Sequence, residues 1–461
     1  MSFVGLYTGL SGIRASQTGI DTASHNIANA NTDGYTRQRV ELGTRPSYTS
    51  PVGEIGTGVD VQGINRLRDQ FLDDRLRSAV AEGEEAQVRA EFLESLESLT
   101  GEPDEGVSVR LSRLWDAMET WSNDPDDAAS RNQVLTEISA VAEGVRTTSA
   151  DWDRLAADYA ERRDTVVDEV NATLAGIDDL DRRIANADPD RIGPDLLDER
   201  DLLVDELAAK LGAEGRIEED GSVTLSLGGV TLSGDDGPAQ LEVDGEQVLV
   251  TVDGDDTDVT AQVSGELGGL QHALNEDLPT WREQLESFAT GFAQALNQRN
   301  TEDEDGDPLP GGAELLGVAD PDDPAGTLEL LTDDPSDLVA STDGVDAPPL
   351  DASNAERFAD LRTTEVDGWG DGDQRTIDDR FADLSIGLAG AVRSELVRAD
   401  GAAKVATGAG LARDAEHGVS LDEEMVDLVR YQRSLESSAR VMTTVDQALE
   451  TLVNRTGIVG R

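Results

Sequence analysis

The first pattern in the chain is a seam. Phe3, Leu6, Leu10, Ile13, Gln17, Ile20, Ser24 and Ile27 recur at alternating spacings of three and four, as on a helix packed against another helix. The seam stops within the run Asn26–Arg37. Asn29, Asn31 and Asp33 tolerate non-helical backbone, and Gly34 can take the positive φ that closes a helix. Weak alternation over Thr36–Leu42 and a Gly- and Pro-bearing stretch from Gly43 to Gly58 predict loops and short strands. From Ile64 the period becomes helical, with Leu67, Phe71, Val88, Phe92, Leu96 and Leu99 on one face, until Gly101-Glu-Pro103. A second helix runs from Ser108 to Trp121 and is broken by Asn123-Asp-Pro125. A third, proline-free, runs from Ala128 through Ile184. Unbroken, it would be a rod of about 80 Å or more, with Gly144 the position expected to interrupt it.

Asp195–Ala208 predicts a further helix with Leu196, Leu203 and Leu207 on one side. The period then changes to two: Val223, Leu225 and Leu227 alternate, and Leu241 and Val243 meet Val248, Val250 and Val252 across Asp244-Gly245, a hairpin signal. Gly268-Gly269 opens the next helix, which carries Leu274, Leu278, Trp281, Leu285, Phe288, Phe292 and Leu296. Residues 300–375, rich in Asp, Gly and Pro, predict loops with a few strands. Helical period resumes near Thr376 and ends in a second seam of Leu421, Met425, Leu428, Gln432, Leu435, Ala439, Met442, Val445, Leu449 and Leu452. The expected fold is mainly α with a smaller β part: paired coiled-coil-like terminal helices (1–35 plus 420–461), a long helical bundle (36–211, 265–299 and 376–419) and an inserted acidic β-rich domain (212–264 plus 300–375). Helices as short as the terminal pair depend on packing for stability. Periodicity alone leaves two readings open, in which they complete a monomer's core or form an assembly element.

Composition narrows the chemistry. Aromatic residues are 4% of the chain, so Leu, Val, Ile and Ala are expected to build the cores. The absence of cysteine excludes disulfides, thiolate metal sites and cysteine nucleophiles. No run approaches the roughly 18 apolar residues of a membrane span, and the N-terminus lacks the basic and apolar regions of a cleaved signal peptide. Residues 1–80 carry eight acids and eight arginines, and residues 421–461 carry seven acids and five arginines, so nearly all of the net charge of -59 falls on 81–420. Neutral ends can pack in many copies, while an acidic middle suits exposure, in a saline medium above all. Nucleic acid is excluded as a partner, because phosphate binding needs a basic surface.

The three histidines, His25, His272 and His417, form no metal-ligating pair. Scattered carboxylates single out no acid/base couple, and the acidic loop Asp303–Asp307 fails the calcium-loop pattern, which would place Gly312 at its final ligand. No catalytic residue, metal or cofactor is therefore expected; an acidic-site enzyme and a calcium-binding surface protein are the remaining alternatives outside a structural role.

Ser24–Arg37 resembles the N-terminal signature of the bacterial flagellar axial proteins, the rod, hook and hook-associated proteins. Gly418–Gln432, continuing through Ser438–Asp446 to Leu449 and Leu452, is similar to the partner signature of that family. Arg66–Leu72, Asp195–Leu203 and Gly268-Gly-Leu270 are similar to its hook-associated members. After Tyr431-Gln432 the family usually has a second aromatic where this chain has Leu435, and the chain runs on past Leu452. The resemblance implies a non-enzymatic structural subunit of the hook–filament junction, self-assembling on a helical lattice between the hook protein and the next hook-associated protein. It further implies an extracellular place, delivery by the type III export apparatus without membrane insertion, and an export chaperone. Carried onto this chain, the assembly residues are Leu6, Leu10, Ile13, Ile20 and Ile27 with the turn residues Asn26, Asn29, Asn31, Gly34 and Tyr35. At the other end they are Leu421, Met425, Leu428, Tyr431, Gln432, Leu435, Met442, Val445, Leu449 and Leu452, which would also meet the chaperone. A hook or distal rod protein is the alternative within the family, and long helices over 65–210 argue against it.

Overall fold

The computed structural model describes the chain except residues 1–3, 51–52, 102–105, 188–192, 219–220, 235–236, 344–347, 349, 368, 370–373 and 456–461. Phe3 thus lies outside the described residues, and Leu452 is placed only as helical backbone. Helix covers 65% and strand 14%, a mainly α fold.

Helix α1 (Val4–Ala28) leads through a turn into the ribbon β1 (Gln38–Thr44), β2 (Tyr48–Ser50), β3 (Gly53–Ile55) and β4 (Val59–Arg66). β1 pairs with β4 and β2 with β3, all antiparallel. Ile64 therefore belongs to a strand, and the expected helix starts later, as α2 (Gln70–Thr100). Asp69 sets that start by accepting the Phe71 N–H at 2.9 Å, which leaves Phe71 exposed rather than on the apolar face. There follow α3 (Val107–Asn123), α4 (Ala128–Ala185) and α5 (Pro194–Leu211). α4 is continuous over 58 residues. Gly144 does not break it; a Cβ there would lie 3.0 Å from Arg110 Cδ and 3.3 Å from Val107, so glycine lets α3 pass close by.

The β-rich segment holds β5 (Glu214–Ile217), β6 (Val223–Leu227), β7 (Val230–Thr231), β8 (Ser233–Gly234), β9 (Gly237–Pro238), β10 (Gln240–Asp244), β11 (Gln247–Val252) and β12 (Asp255–Asp258). The β10–β11 hairpin has the expected turn, with Asp244 opposite Gln247. The third strand, β12, is wholly exposed, a charged edge that resists pairing with other chains. Helix α6 (Gly265–His272) passes through a π-turn at Ala273–Asp277 into α7 (Leu278–Thr301). Then come β13 (Leu316–Val318), β14 (Leu328–Leu330), α8 (Ser353–Ala359), α9 (Ile377–His417) and α10 (Leu421–Arg455).

The chain divides into two compact units, one of residues 1–82, 169–263 and 403–461, the other of 83–168 and 264–402. This departs from the expected partition, which joined 212–264 to 300–375. The physical reason lies in what each segment packs on. In the first unit the Asn171 side chain of α4 bonds both backbone groups of Leu241 in β10, at 2.7 and 2.9 Å. In the second, Asn297 of α7 does the same for the start of β13, accepting from Leu315 and Leu316 N–H and donating to Leu316 O. The second unit also corrects the expectation of purely aliphatic cores. All five tryptophans of the chain, Trp115, Trp121, Trp152, Trp281 and Trp369, sit in its large buried cluster with Phe92, Phe288, Phe292, Phe358 and Phe381. Aromatics are scarce overall because they are concentrated here.

Candidate functional site

The two chain ends meet in the first unit as an antiparallel helix pair, and glycine sets how closely they approach. A Cβ at Gly5, Gly9, Gly12 or Gly19 would lie 3.0 Å from Val445, 2.6 Å from Met442, 2.5 Å from Ser438 or 2.6 Å from the Tyr431 ring, respectively. At the far end Asn26 bonds Glu424. The 21 steps from Gly5 up to Asn26 on α1 are thus matched by the 21 from Val445 down to Glu424 on α10. With the buried Ser16 and Ala23, the α1 positions 5, 9, 12, 16, 19, 23 and 26 alternate by four and three. This is a heptad seam of small residues offset by one position, about 100°, from the Leu/Ile seam. Leu6, Leu10, Ile13, Ile20 and Ile27 flank it, half-buried. On α10 the covered positions include Glu424, Leu428, Tyr431, Leu435, Ser438, Met442, Val445 and Leu449. Leu421, Met425 and Gln432 are exposed, at 51% and 57% for the first two. The expected seam assumed that large apolar residues mark the contact on both helices. Here α10 supplies the knobs and α1 the holes.

Gly19→Ala is expected to weaken this pair by about 1–3 kcal/mol through overpacking against the Tyr431 ring. The control is Gly83→Ala, at a helical glycine with open space around it, where stability should rise by up to about 1 kcal/mol. Urea unfolding of the two variants measures the contrast.

Below the pair, the turn after α1 is built around one side chain. Asn26 is buried, and its amide nitrogen donates to Gln38 O at 2.9 Å and to Glu424 Oε2 at 3.0 Å. Its amide oxygen accepts from Tyr35 Oη at 2.7 Å and from Gln38 N at 3.0 Å. Burial, reinforced by the carboxylates of Asp195, Asp198 and Glu424, pushes the Tyr35 phenol far up, so it stays protonated and able to donate. Glu424, also buried, receives Arg37 Nε at 2.7 Å, while Arg37 Nη1 reaches Glu423 at 2.6 Å. Gly34 takes the expected positive φ, +73°, but it lies six positions past Ala28, the last residue of α1, so it shapes the turn rather than closing the helix. Asn29 donates to His25 O at 3.1 Å, and Asn31 is exposed. Arg37 and Glu424 were not among the expected site residues; a basic residue two positions after Tyr35 and a Glu pair at the start of a seam are weak signals taken singly.

The run Asp195–Leu203 proves to be polar on its packed side. Asp198, Arg200 and Asp201 are buried, whereas Leu196 and Leu203 are half-buried; only Leu207 of the expected apolar side is fully covered. Asp198 accepts Thr36 N at 3.2 Å and Arg66 at 2.8 Å; Asp201 accepts Arg66 at 2.7 Å, Arg200 at 3.1 Å and also Arg68. Arg68 further holds Asp73, Arg200 holds Asp181, and Asp205 receives both Arg77 at 2.7 Å and Arg413 at 2.6 Å. Burial lowers Arg68 and Arg200 below the ordinary guanidinium value, with Asp73 and Asp181, respectively, pulling the other way. The cluster is balanced, so it fixes the turn, β4, α2 and α5 to one another without adding to the negative field.

His417, at the end of α9, is the acid-sensitive member. Its Nε2 accepts the Asp69 N–H at 2.7 Å and its carbonyl accepts Arg37 N–H at 2.9 Å. Burial lowers its pKa below the ordinary 6.5, with Asp73 opposing. The folded state therefore binds the proton less readily than the unfolded chain. Stability is complete above about pH 6.5 and falls as the pH drops below it. Comparing unfolding of the wild-type chain and His417→Gln between pH 7.5 and 5.5 should show the smaller loss in the variant.

Among the described residues no group of His, Cys, Asp or Glu is arranged to hold a metal ion, and no helix is long and apolar enough to cross a membrane.

Residues 93–313 match the family model of the flagellar hook-associated protein FlgK helical domain. Residues 6–36 match that of the flagella basal body rod protein, and residues 416–455 that of the flagellar basal body rod FlgEFG protein C-terminal region. The chain is 27% identical to flagellar hook-associated protein 1 of Bacillus subtilis, over all of this chain and 99% of that one. To the protein of the same name in Salmonella typhimurium it is 28% identical, over 65% of this chain and 56% of that one; in Escherichia coli the values are 22%, 63% and 56%. The fold is similar to the flagellar hook junction protein FlgK from Burkholderia pseudomallei, with a TM-score of 0.63 at 14% identity, over 75% of this chain and all of that one. The helix pair lies in the two rod-protein matches, and α3 to α7 lie in the third. Over its whole length the chain is thus similar to flagellar hook-associated protein 1, and its fold to that of the hook junction protein.

Proposed function

We propose that the chain is a structural subunit of the bacterial flagellum, forming the junction between hook and filament. The observation that carries this is the terminal helix pair, knobs of α10 in glycine holes of α1, in a chain whose helical middle matches the hook-associated helical domain. The long helices α2 to α5 favour this member of the axial family over a hook or distal rod protein. The family is a structural one, and the chain is a component of the flagellar axis.

In this reading the subunits assemble as copies on a helical lattice, with the hook protein on one side and the next hook-associated protein on the other. The chain leaves the cell through the type III export apparatus, and an export chaperone covers the exposed apolar residues Leu421, Met425, Val426 and Val429 of α10 beforehand. The turn from Asn26 to Tyr35 then marks where the chain leaves the assembled wall. Deleting the gene should yield hooks without filaments and flagellin in the medium; normal filaments on the deletion strain would refute the reading.

A further inference from the structure

Within the second unit, α9 presents an outward ridge that nothing among the described residues covers. Ile386 and Val397 are 70% and 68% exposed, and they share a helix face with Gly390, Arg393 and Gly401. A Cβ at either glycine would meet nothing within 4 Å, so no contact among the described residues accounts for a residue that costs an exposed helix about 1 kcal/mol relative to alanine. The ridge also departs from the acidity of the middle of the chain. Between Leu384 and Ala402 the acids are Glu395, which is buried against Arg89 and Arg398, and Asp400. Arg393 is exposed and has no ion-pair partner among the described residues.

The same unit carries a surface of opposite character. A groove of about 630 Å³ runs between α2 and α4 with Leu99 and Leu155 in its floor. Its rim includes Glu94 and Asp158, both exposed and without an ion-pair partner among the described residues. One surface is a ridge bearing an unpaired cation; the other is an acidic groove in which Arg154 is paired to Asp151 and Glu91 to Arg162, while Glu94 and Asp158 face outward unpaired among the described residues.

We propose that the α9 ridge of one copy seats in the α2–α4 groove of a second copy, with Arg393 paired to the Glu94 and Asp158 rim and the glycines allowing close approach. Such a contact is heterologous: each copy offers a ridge to one neighbour and a groove to another, and repetition without closure builds a helical array. The inference rests on the junction reading and adds to it a surface outside the terminal helices.

The absence of cysteine makes the test clean. Ser98 in the groove and Ser394 beside Arg393 are both exposed. In assembled flagella carrying Ser98→Cys and Ser394→Cys together, a bismaleimide cross-linker should produce covalent dimers and higher multimers, while each single variant stays monomeric. In a second arm, Arg393→Glu should cut incorporation into flagella at least tenfold, and Glu94→Arg in the same chain should restore it, because every chain supplies both sides. Flagella that assemble from the double-cysteine chain yet give only monomers would overturn the contact, as would full incorporation of Arg393→Glu. Either outcome leaves filament growth intact and so is distinct from failure of the junction reading, which is judged by the deletion strain.

Discussion

Replacing Asn26 with alanine is expected to destabilise the base of the helix pair by about 3–5 kcal/mol. The side chain is buried and uses all four of its hydrogen-bonding positions, two on Gln38, one on Tyr35 and one on Glu424. Alanine leaves a phenol, a backbone N–H, a carbonyl and one carboxylate oxygen without the partner that Asn26 supplies. Each unpaired buried group costs about 1–3 kcal/mol, more when charged, and local relaxation recovers part of the sum. Asn26→Asp should be at least as damaging, since it faces Glu424 with a second carboxylate. Tryptophan fluorescence is a poor probe, because every tryptophan lies in the other unit. The suitable measurement is amide exchange over residues 4–28 and 421–435. Exchange that speeds up there, with protection of the tryptophan-rich core unchanged, is the expected result; unchanged protection in both places would show that Asn26 does not hold the turn.

The second large effect is expected from Asp201→Ala. Asp201 serves Arg66, Arg68 and Arg200, of which Arg200 is wholly buried. Removing the shared acceptor strands guanidinium groups in a place that water reaches poorly, and breaking a buried ion pair from one side costs about 3–5 kcal/mol. Asp201→Asn keeps the shape and some hydrogen bonding and should lose less. Urea unfolding followed by circular dichroism would rank wild type, Asn and Ala in that order. Near-equal midpoints would mean that the arginines find other acceptors, Asp198 and Asp181 being the nearest available.

Much of the architecture is legible in the residue pattern. The breaks at Asn123-Asp-Pro125 and Gly193-Pro194, and the long periodic run from Ala128, locate α3, α4 and α5 closely because proline, glycine and sustained period act locally. The face of a helix is harder to read than its existence. In α1 the large apolar residues draw attention to one stripe, while the contact runs along the neighbouring stripe of Gly5, Gly9, Gly12 and Gly19. Hydrophobicity does not register a hole. In α5 the same bias favours Leu196 and Leu203 over Asp198, Arg200 and Asp201, whose burial depends on arginines more than 100 residues away in the chain. The site residues Arg37 and Glu424 are likewise invisible singly, since each gains its role from a partner at the other terminus. Packing of the β-rich segments is set by Asn171 and Asn297, two amides that composition cannot distinguish from any other.

The knob-and-hole division of the helix pair also predicts how the two ends tolerate change. At Gly5, Gly9, Gly12 and Gly19 of α1 the contact positions are already at the lower limit of side-chain size, so any substitution at these four can only enlarge and is disfavoured by crowding. Along α10 the contact positions Tyr431, Met442 and Val445 are large, so substitutions toward smaller residues are the harmful ones, through lost packing. A saturation scan of both ends should therefore give two maps of opposite polarity, with fitness falling with volume at one terminus and rising with it at the other.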